Sequence, residues 1–163
     1  MPVTYENIAT TTLGSANNII TFSSIPATYT DLRLVLVDRG ASGSTILVRF
    51  NSDSGSNYSR TRLQGDGASA TSSQSTNQAS VICGNQPSAT GVWGMHTVDV
   101  FSYAGSTNKT CLVTASEDAN GSGTVQRQVA LWRNTAAINT LTITASNNFD
   151  AGTTATLYGI LRA

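Results

Sequence analysis

Ala151-Gly-Thr-Thr-Ala-Thr-Leu-Tyr-Gly-Ile160 decides the fold class, because apolar and hydroxylated residues alternate along it until three residues from the last one. Successive side chains of a β-strand point to opposite faces, so Leu157 is expected to face a core and Tyr158 to point the other way. Gly159 leaves room for a close approach, such as that of a second subunit. A strand in this position is expected to be paired within a sheet, since an unpaired terminal edge invites aggregation.

Working outward, the same texture recurs. Alternating runs suggest about ten strands, within residues 4–13, 18–24, 31–39, 44–50, 57–64, 79–84, 92–101, 109–116, 125–133, 138–146 and 153–161. Asp31-Leu-Arg-Leu-Val-Leu-Val-Asp38 puts Leu32, Leu34 and Leu36 on one face, and Thr140-Leu-Thr-Ile-Thr144 puts Leu141 and Ile143 inward with threonines outward. Turn-forming clusters separate the runs: Gly14-Ser-Ala-Asn-Asn, Gly40-Ala-Ser-Gly, Asn51-Ser-Asp-Ser-Gly-Ser-Asn57, Ala119-Asn-Gly-Ser-Gly123 and Asn147-Asn-Phe-Asp-Ala-Gly152. No segment carries a sustained helical stripe. The expected fold is all-β, an antiparallel β-sandwich of jelly-roll type, as one domain over residues 1–163. Residues 65–79 lack an apolar anchor and read as a polar, flexible loop.

At 163 residues the chain is long enough to bury a core without staples. Only 11% of residues are charged, with nine basic and nine acidic, so the surface is polar but nearly neutral. No Lys/Arg run is long enough to track a phosphate backbone, and no apolar stretch approaches membrane-spanning length, so neither nucleic acid nor membrane is an expected partner. The start Met-Pro-Val-Thr-Tyr-Glu has no basic region followed by an apolar one, so synthesis in a cytoplasm without a secretion signal is the expectation. Cys83 and Cys111 lie far apart in apolar runs and read as buried free thiols, without chemistry.

Several stretches, in order along the chain, carry a resemblance: Tyr5-Glu-Asn-Ile-Ala-Thr-Thr-Thr-Leu, Ile20-Thr-Phe-Ser-Ser-Ile-Pro-Ala-Thr-Tyr-Thr-Asp-Leu-Arg-Leu-Val, Arg49-Phe-Asn-Ser-Asp-Ser-Gly-Ser-Asn-Tyr-Ser, Leu131-Trp-Arg-Asn-Thr-Ala-Ala-Ile and Thr156-Leu-Tyr-Gly-Ile. Together they resemble small β-rich virion structural proteins of tailed bacteriophages. The resemblance implies a jelly-roll or sandwich module that assembles as a homotrimer, either decorating a capsid or forming part of a tail fibre or spike. It carries no catalytic residues over, and the region around Gly65 to Val92 matches least well.

Chemical constellations are sparse. His96 is the single histidine, and Asp99 three residues on would lie on the opposite strand face, so no local pair forms. One histidine and two scattered cysteines do not make a zinc site, whose ligands come as spaced pairs. Asn51, Asp53 and Asn57 alternate as in a calcium loop, but the twelfth position holds Arg62 instead of an acid. An Asx-rich turn with Gly55 at positive φ is the simpler reading. Glu117 and Asp118 are adjacent in a turn and read as solvated, not as carboxylates facing across a sugar. Asn57-Tyr-Ser, Asn108-Lys-Thr and Asn120-Gly-Ser match the glycosylation sequon by coincidence of composition.

The chain is therefore expected to be no enzyme and to need no cofactor or metal. The first expectation is a cement protein on the outer head surface of a virion, with the major capsid protein as partner. Its interface would draw on Ile8, Ile20, Phe22, Ile25 and Ile160. The alternative is a tail-fibre or spike module binding host surface carbohydrate through Tyr58, Trp93 and Tyr103, with Trp132 assigned to the core.

Overall fold

The computed structural model describes residues 4–40 and 43–161. Twelve strands form: β1 (Tyr5–Thr12), β2 (Asn17–Phe22), β3 (Asp31–Arg39), β4 (Thr45–Phe50), β5 (Tyr58–Gly65), β6 (Ala70–Gln78), β7 (Val81–Asn85), β8 (Trp93–Val100), β9 (Lys109–Asp118), β10 (Gly123–Trp132), β11 (Leu141–Phe149) and β12 (Thr154–Ile160). Among the described residues there is no helix. Every strand pairing is antiparallel.

The strands make two sheets of unequal width. The large sheet has eight strands in the order β1-β12-β3-β8-β9-β10-β5-β6, and the small one has four in the order β2-β11-β4-β7. The chain passes repeatedly from one sheet to the other, giving the expected jelly-roll-like sandwich. Leu32, Leu34 and Leu36 of β3, Val98 and Val100 of β8, and Cys111 and Val113 of β9 face Ile20, Phe22, Ile46, Val48, Phe50, Leu141 and Ile143 of the small sheet in one buried core. Fully burying an aliphatic side chain of this size is worth about 1.5–3 kcal/mol, so this interlayer is the main source of stability. Cys83 and Cys111 are free and buried in it, and desolvation raises both thiols far above their ordinary range, which makes them inert.

Residues 65–79 require a correction. They are not a loop: Ala70–Gln78 is strand β6, pairing along β5 from Gly65↔Ala70 to Tyr58↔Gln78. The connection is only Asp66 to Ser69, closed by Asp66 Oδ1 accepting from the N–H groups of Ala68 and Ser69. Apolar alternation is missing because β6 is a sheet edge with no core beneath it, so its residues stay polar on both faces.

Strand β12 lies between β1 and β3, with Leu157 buried and Tyr158 on the outer face. The group that approaches Gly159 is not a second subunit. It is the Tyr29 ring of the same chain, seated where a Cβ would be and held by a hydrogen bond of 3.0 Å from Tyr29 Oη to Glu6 Oε2. Lys109 is buried in the same end of the molecule and donates to the carbonyls of Gly105 at 2.6 Å and Thr107 at 2.5 Å, tying off the turn before β9.

Gly159→Ala is expected to displace the Tyr29 ring and cost about 1–3 kcal/mol by overpacking. Urea unfolding reads this directly; unchanged stability would show that Tyr29 is not fixed against β12.

Candidate functional site

The alternation that turns one face of the large sheet into the core leaves the other face in water, and this outer face is not uniformly polar. Register partners Val37↔Met95, Met95↔Ser116, Ser116↔Val125 and Val125↔Gly65 define a line across β3, β8, β9, β10 and β5. At the usual strand spacing this line is about 19 Å long. It lies in a groove of about 580 Å³ whose walls include Trp93, Asp66, Glu117 and Asp118. Trp93, Met95 and Val125 are 47%, 48% and 60% exposed, and Leu63 and Val129 continue the apolar surface beyond them.

Trp93 is mounted, not loose. Its ring lies 5.8 Å from the Arg39 guanidinium, which also pairs with Asp150 at 3.6 Å. The ring lies beside the turn residue Gly152, whose φ of +91° favours glycine; even a Cβ there would meet the ring only at ordinary van der Waals distance. Two of the acids along the groove, Asp66 and Asp118, close turns, whereas the Glu117 carboxylate is turned to the backbone of Ser88, on the inward parity of β9. Asp66 accepts from Ser69 and Ala68, bonds that hold its carboxyl below the usual range; Asp118 accepts from the Gly121 N–H. Asp66 and Asp118 leave an acidic rim beside an apolar floor.

Most of the residues singled out in the sequence lie elsewhere. Ile20, Phe22 and Ile25 are corrected from interface to core: each is 5% exposed or less, because β2 turns Ile20 and Phe22 toward the large sheet and exposes Ile19 in their place. Ile8 packs partly against the core, and Ile160 is half-buried opposite Tyr5. Tyr58 and Tyr103 are likewise corrected from ligand contacts to fully buried side chains. Tyr58 packs against both Phe50 and Trp132, which also touch each other, and its hydroxyl donates to Asp53 O; burial raises its pKa to about 12. Tyr103 donates to Pro26 O. Of the aromatic candidates only Trp93 is exposed, and Trp132 is in the core. The groove floor escapes a sequence reading because Val37, Met95 and Val125 belong to runs whose neighbours supply the core.

The segment Asn51–Asn57 is an Asx-rich turn. Asp53 Oδ1 accepts from the Gly55 N–H at 2.8 Å and from Asn57, and Oδ2 accepts from Trp132 Nε1 at 2.7 Å. The positive φ falls on Asn51 and Ser52 and not on Gly55. Both carboxylate oxygens are thus spent on the protein's own donors. Among the described residues, no group of three or more His, Cys, Asp or Glu side chains gathers around one point.

His96 makes two buried hydrogen bonds, Nδ1 to Cys83 O at 2.7 Å and Nε2 to Asp38 Oδ1 at 2.9 Å. A carbonyl can only accept, so Nδ1 carries a proton. The second bond then requires one more proton between Nε2 and Asp38, and the pair is neutral overall with that proton in place.

No protein-family model matches the chain, and no curated protein matches it at a significant level.

Two outcomes follow for stability. The Trp132 indole N–H above all holds the Asp53 carboxyl below its ordinary range, so its contribution is present above the unfolded value near 3.9 and is lost as pH falls through the folded one. Asp53→Asn, which places a donor among donors, is expected to cost about 1–2 kcal/mol at neutral pH and to flatten the acid limb of a stability–pH curve. Asp38→Ala is expected to cost about 3 kcal/mol by stranding His96 Nε2, whereas Asp38→Asn, which can donate to a neutral Nε2, costs about 1 kcal/mol. Equal losses in the two Asp38 variants would rule out the shared-proton reading.

Proposed function

We propose that the chain is a virion structural protein of a tailed bacteriophage, a trimeric decoration module that docks on the outer head surface. The observation that carries the reading is the outer face of the large sheet, where Val37, Leu63, Trp93, Met95, Val125 and Val129 stand exposed together. A monomeric surface rarely keeps large apolar side chains grouped in this way, and such patches mark contact sites. The acidic residues Asp66 and Asp118 at the groove's rim suit a partner that presents basic residues around an apolar knob, and the capsid surface is the occupant this reading assigns. The phage setting and the trimer rest on the resemblance of the quoted stretches.

A second reading is favoured by one specific feature, the mounted and half-exposed Trp93 beside carboxylates and hydroxyls in the groove. Such a ring is a stacking platform for a sugar face, with Asp66, Asp118 and Thr124 as hydrogen-bonding neighbours. In that case the module sits on a tail fibre or spike and grips a host surface glycan.

Purified protein added to heads lacking it is expected to co-sediment with them, and Met95→Arg to weaken binding about 30-fold by placing a charge in the contact. Absence of co-sedimentation by the native chain would discard the docking reading, and light scattering at the mass of a 17.0 kDa monomer would discard the trimer. For the second reading, host polysaccharide is expected to change Trp93 fluorescence saturably, with the buried Trp132 contributing a constant background.

A further inference from the structure

The inner face of the large sheet changes character past the edge of the small one. Edge strand β7 packs over β8, β9, β10 and the near side of β5. Beyond it, core residues give way to Gln126 and Gln128 of β10, Arg60 and Arg62 of β5, and Ser73 and Ser75 of β6, all on the inward-facing parity set by Trp132 and Tyr58. In register, Gln128 stands beside Arg62 and Arg62 beside Ser73, while Arg60 stands beside Ser75.

This cluster is short of acceptors. Arg60 and Arg62 are half-buried, two residues apart on one strand face, and therefore about 7 Å apart along the chain. Neither makes an ion pair among the described residues, whose salt bridges join Arg33 to Asp99, Arg39 to Asp150 and His96 to Asp38. Arg60 Nη1 donates to Gln128 Oε1 at 3.2 Å, which engages one donor of the set. Three donors, the Nε atoms of both arginines and Gln128 Nε2, are buried without a hydrogen-bond partner, beside one unpaired acceptor, Gln126 Oε1, and both glutamines are at least 97% buried. Burial and the neighbouring Arg62 charge also push the Arg60 pKa down, as for a cation held without a counter-charge. Leaving buried polar groups unpaired costs about 1–3 kcal/mol each, more for charged ones, so a fold that gathers these three unpaired donors in one place gains by admitting an acceptor.

We infer that Arg60 and Arg62, backed by Gln128 and flanked by Ser73 and Ser75, form a binding site for an oxyanion at the open end of the sandwich, separate from the outer groove. Two guanidinium groups match the paired oxygens of phosphate, sulfate or carboxylate, and serine hydroxyls supply further donors. The group is either a free inorganic anion or the acidic group of a saccharide. The site lies on the inward face of the large sheet, so its ligand and any partner on the outer face do not compete.

The test is thermal unfolding and amide NMR of the full chain at constant ionic strength, with inorganic phosphate in one arm and glucuronate in the other, against chloride. At saturation the favoured anion is expected to raise the melting temperature by about 3 °C and to move the Gln126 and Gln128 side-chain amide signals. A larger effect from phosphate identifies a free anion, and a larger effect from glucuronate a saccharide-borne group. Arg62→Gln is expected to melt no lower than the native chain in chloride, because it removes a like charge, and to lose the anion-dependent increment. Arg127→Gln, on the outer face, is expected to keep it. No increment with either anion in the native chain, or an undiminished increment in Arg62→Gln, overturns the inference, and the NMR arm decides the matter should the substitution disturb folding.

Discussion

An eight-stranded sheet covered by a four-stranded one is the constraint on which the rest of this structure depends. Hydrophobic burial is proportional to the apolar area removed from water, and a narrow layer can remove that area only beneath itself. Under the small sheet the inward positions are Leu, Val, Ile and Phe; past β7 they become Arg, Gln and Ser. The same strands carry both kinds of residue: β10 runs from polar Gln126 and Gln128 to Ala130 and Trp132 along one face. Composition along a single strand thus records where the covering layer stops.

Width also creates exposed edges, and the chain handles them by polarity. β6, at one edge of the large sheet, is Ala-Thr-Ser-Ser-Gln-Ser-Thr-Asn-Gln, which offers backbone groups but no apolar side chain to reward pairing with another chain. Toward the other edge, β1 and β12 face water with threonine pairs, Thr10 to Thr156 at 3.2 Å and Thr12 to Thr154 at 2.9 Å. Between these hydroxylated margins the apolar line from Val37 to Val125 is the exception on the outer face, and for that reason it is the place to look for a partner.

Strands with one buried face were legible in the sequence because a two-residue period is a local signal. β3, β11 and β12 show it plainly, and their inward residues are the ones the alternation assigns. β6 was illegible for the complementary reason, since an edge strand with nothing under it has no period to display. Alternation names two faces without saying which is inside. In Leu34-Val-Leu-Val37 both faces are apolar, so the exposed Val37 is hidden among core residues, and in Ile19-Ile20 the reading of a free surface fell on the residue that turns inward. The aromatic candidates failed similarly. Tyr58 lies beside a polar turn in sequence, but Asp53, in that turn, folds back to receive the Trp132 N–H and draws the ring into the core. The excess of donors around Arg60 and Arg62 depends on register across three strands, which no single segment reports.

The wall of the outer groove is fixed from the inside of the sandwich. Asp38 and Gly94 are register partners on β3 and β8, and Arg39 and Trp93 are the next pair. Strand alternation sends Asp38 and His96 inward and Arg39 and Trp93 outward on the same two strands. The bond from His96 to Asp38 therefore locks the two backbones together directly behind the indole. A side chain at Gly94 would collide with Asp38 Oδ1 at 2.6 Å, so glycine is required there for the pair to close. The buried pair thereby adds a side-chain tie to the register on which Arg39, Trp93 and Met95 share a surface. A buried polar contact can in this way support the geometry of an outer surface it never touches.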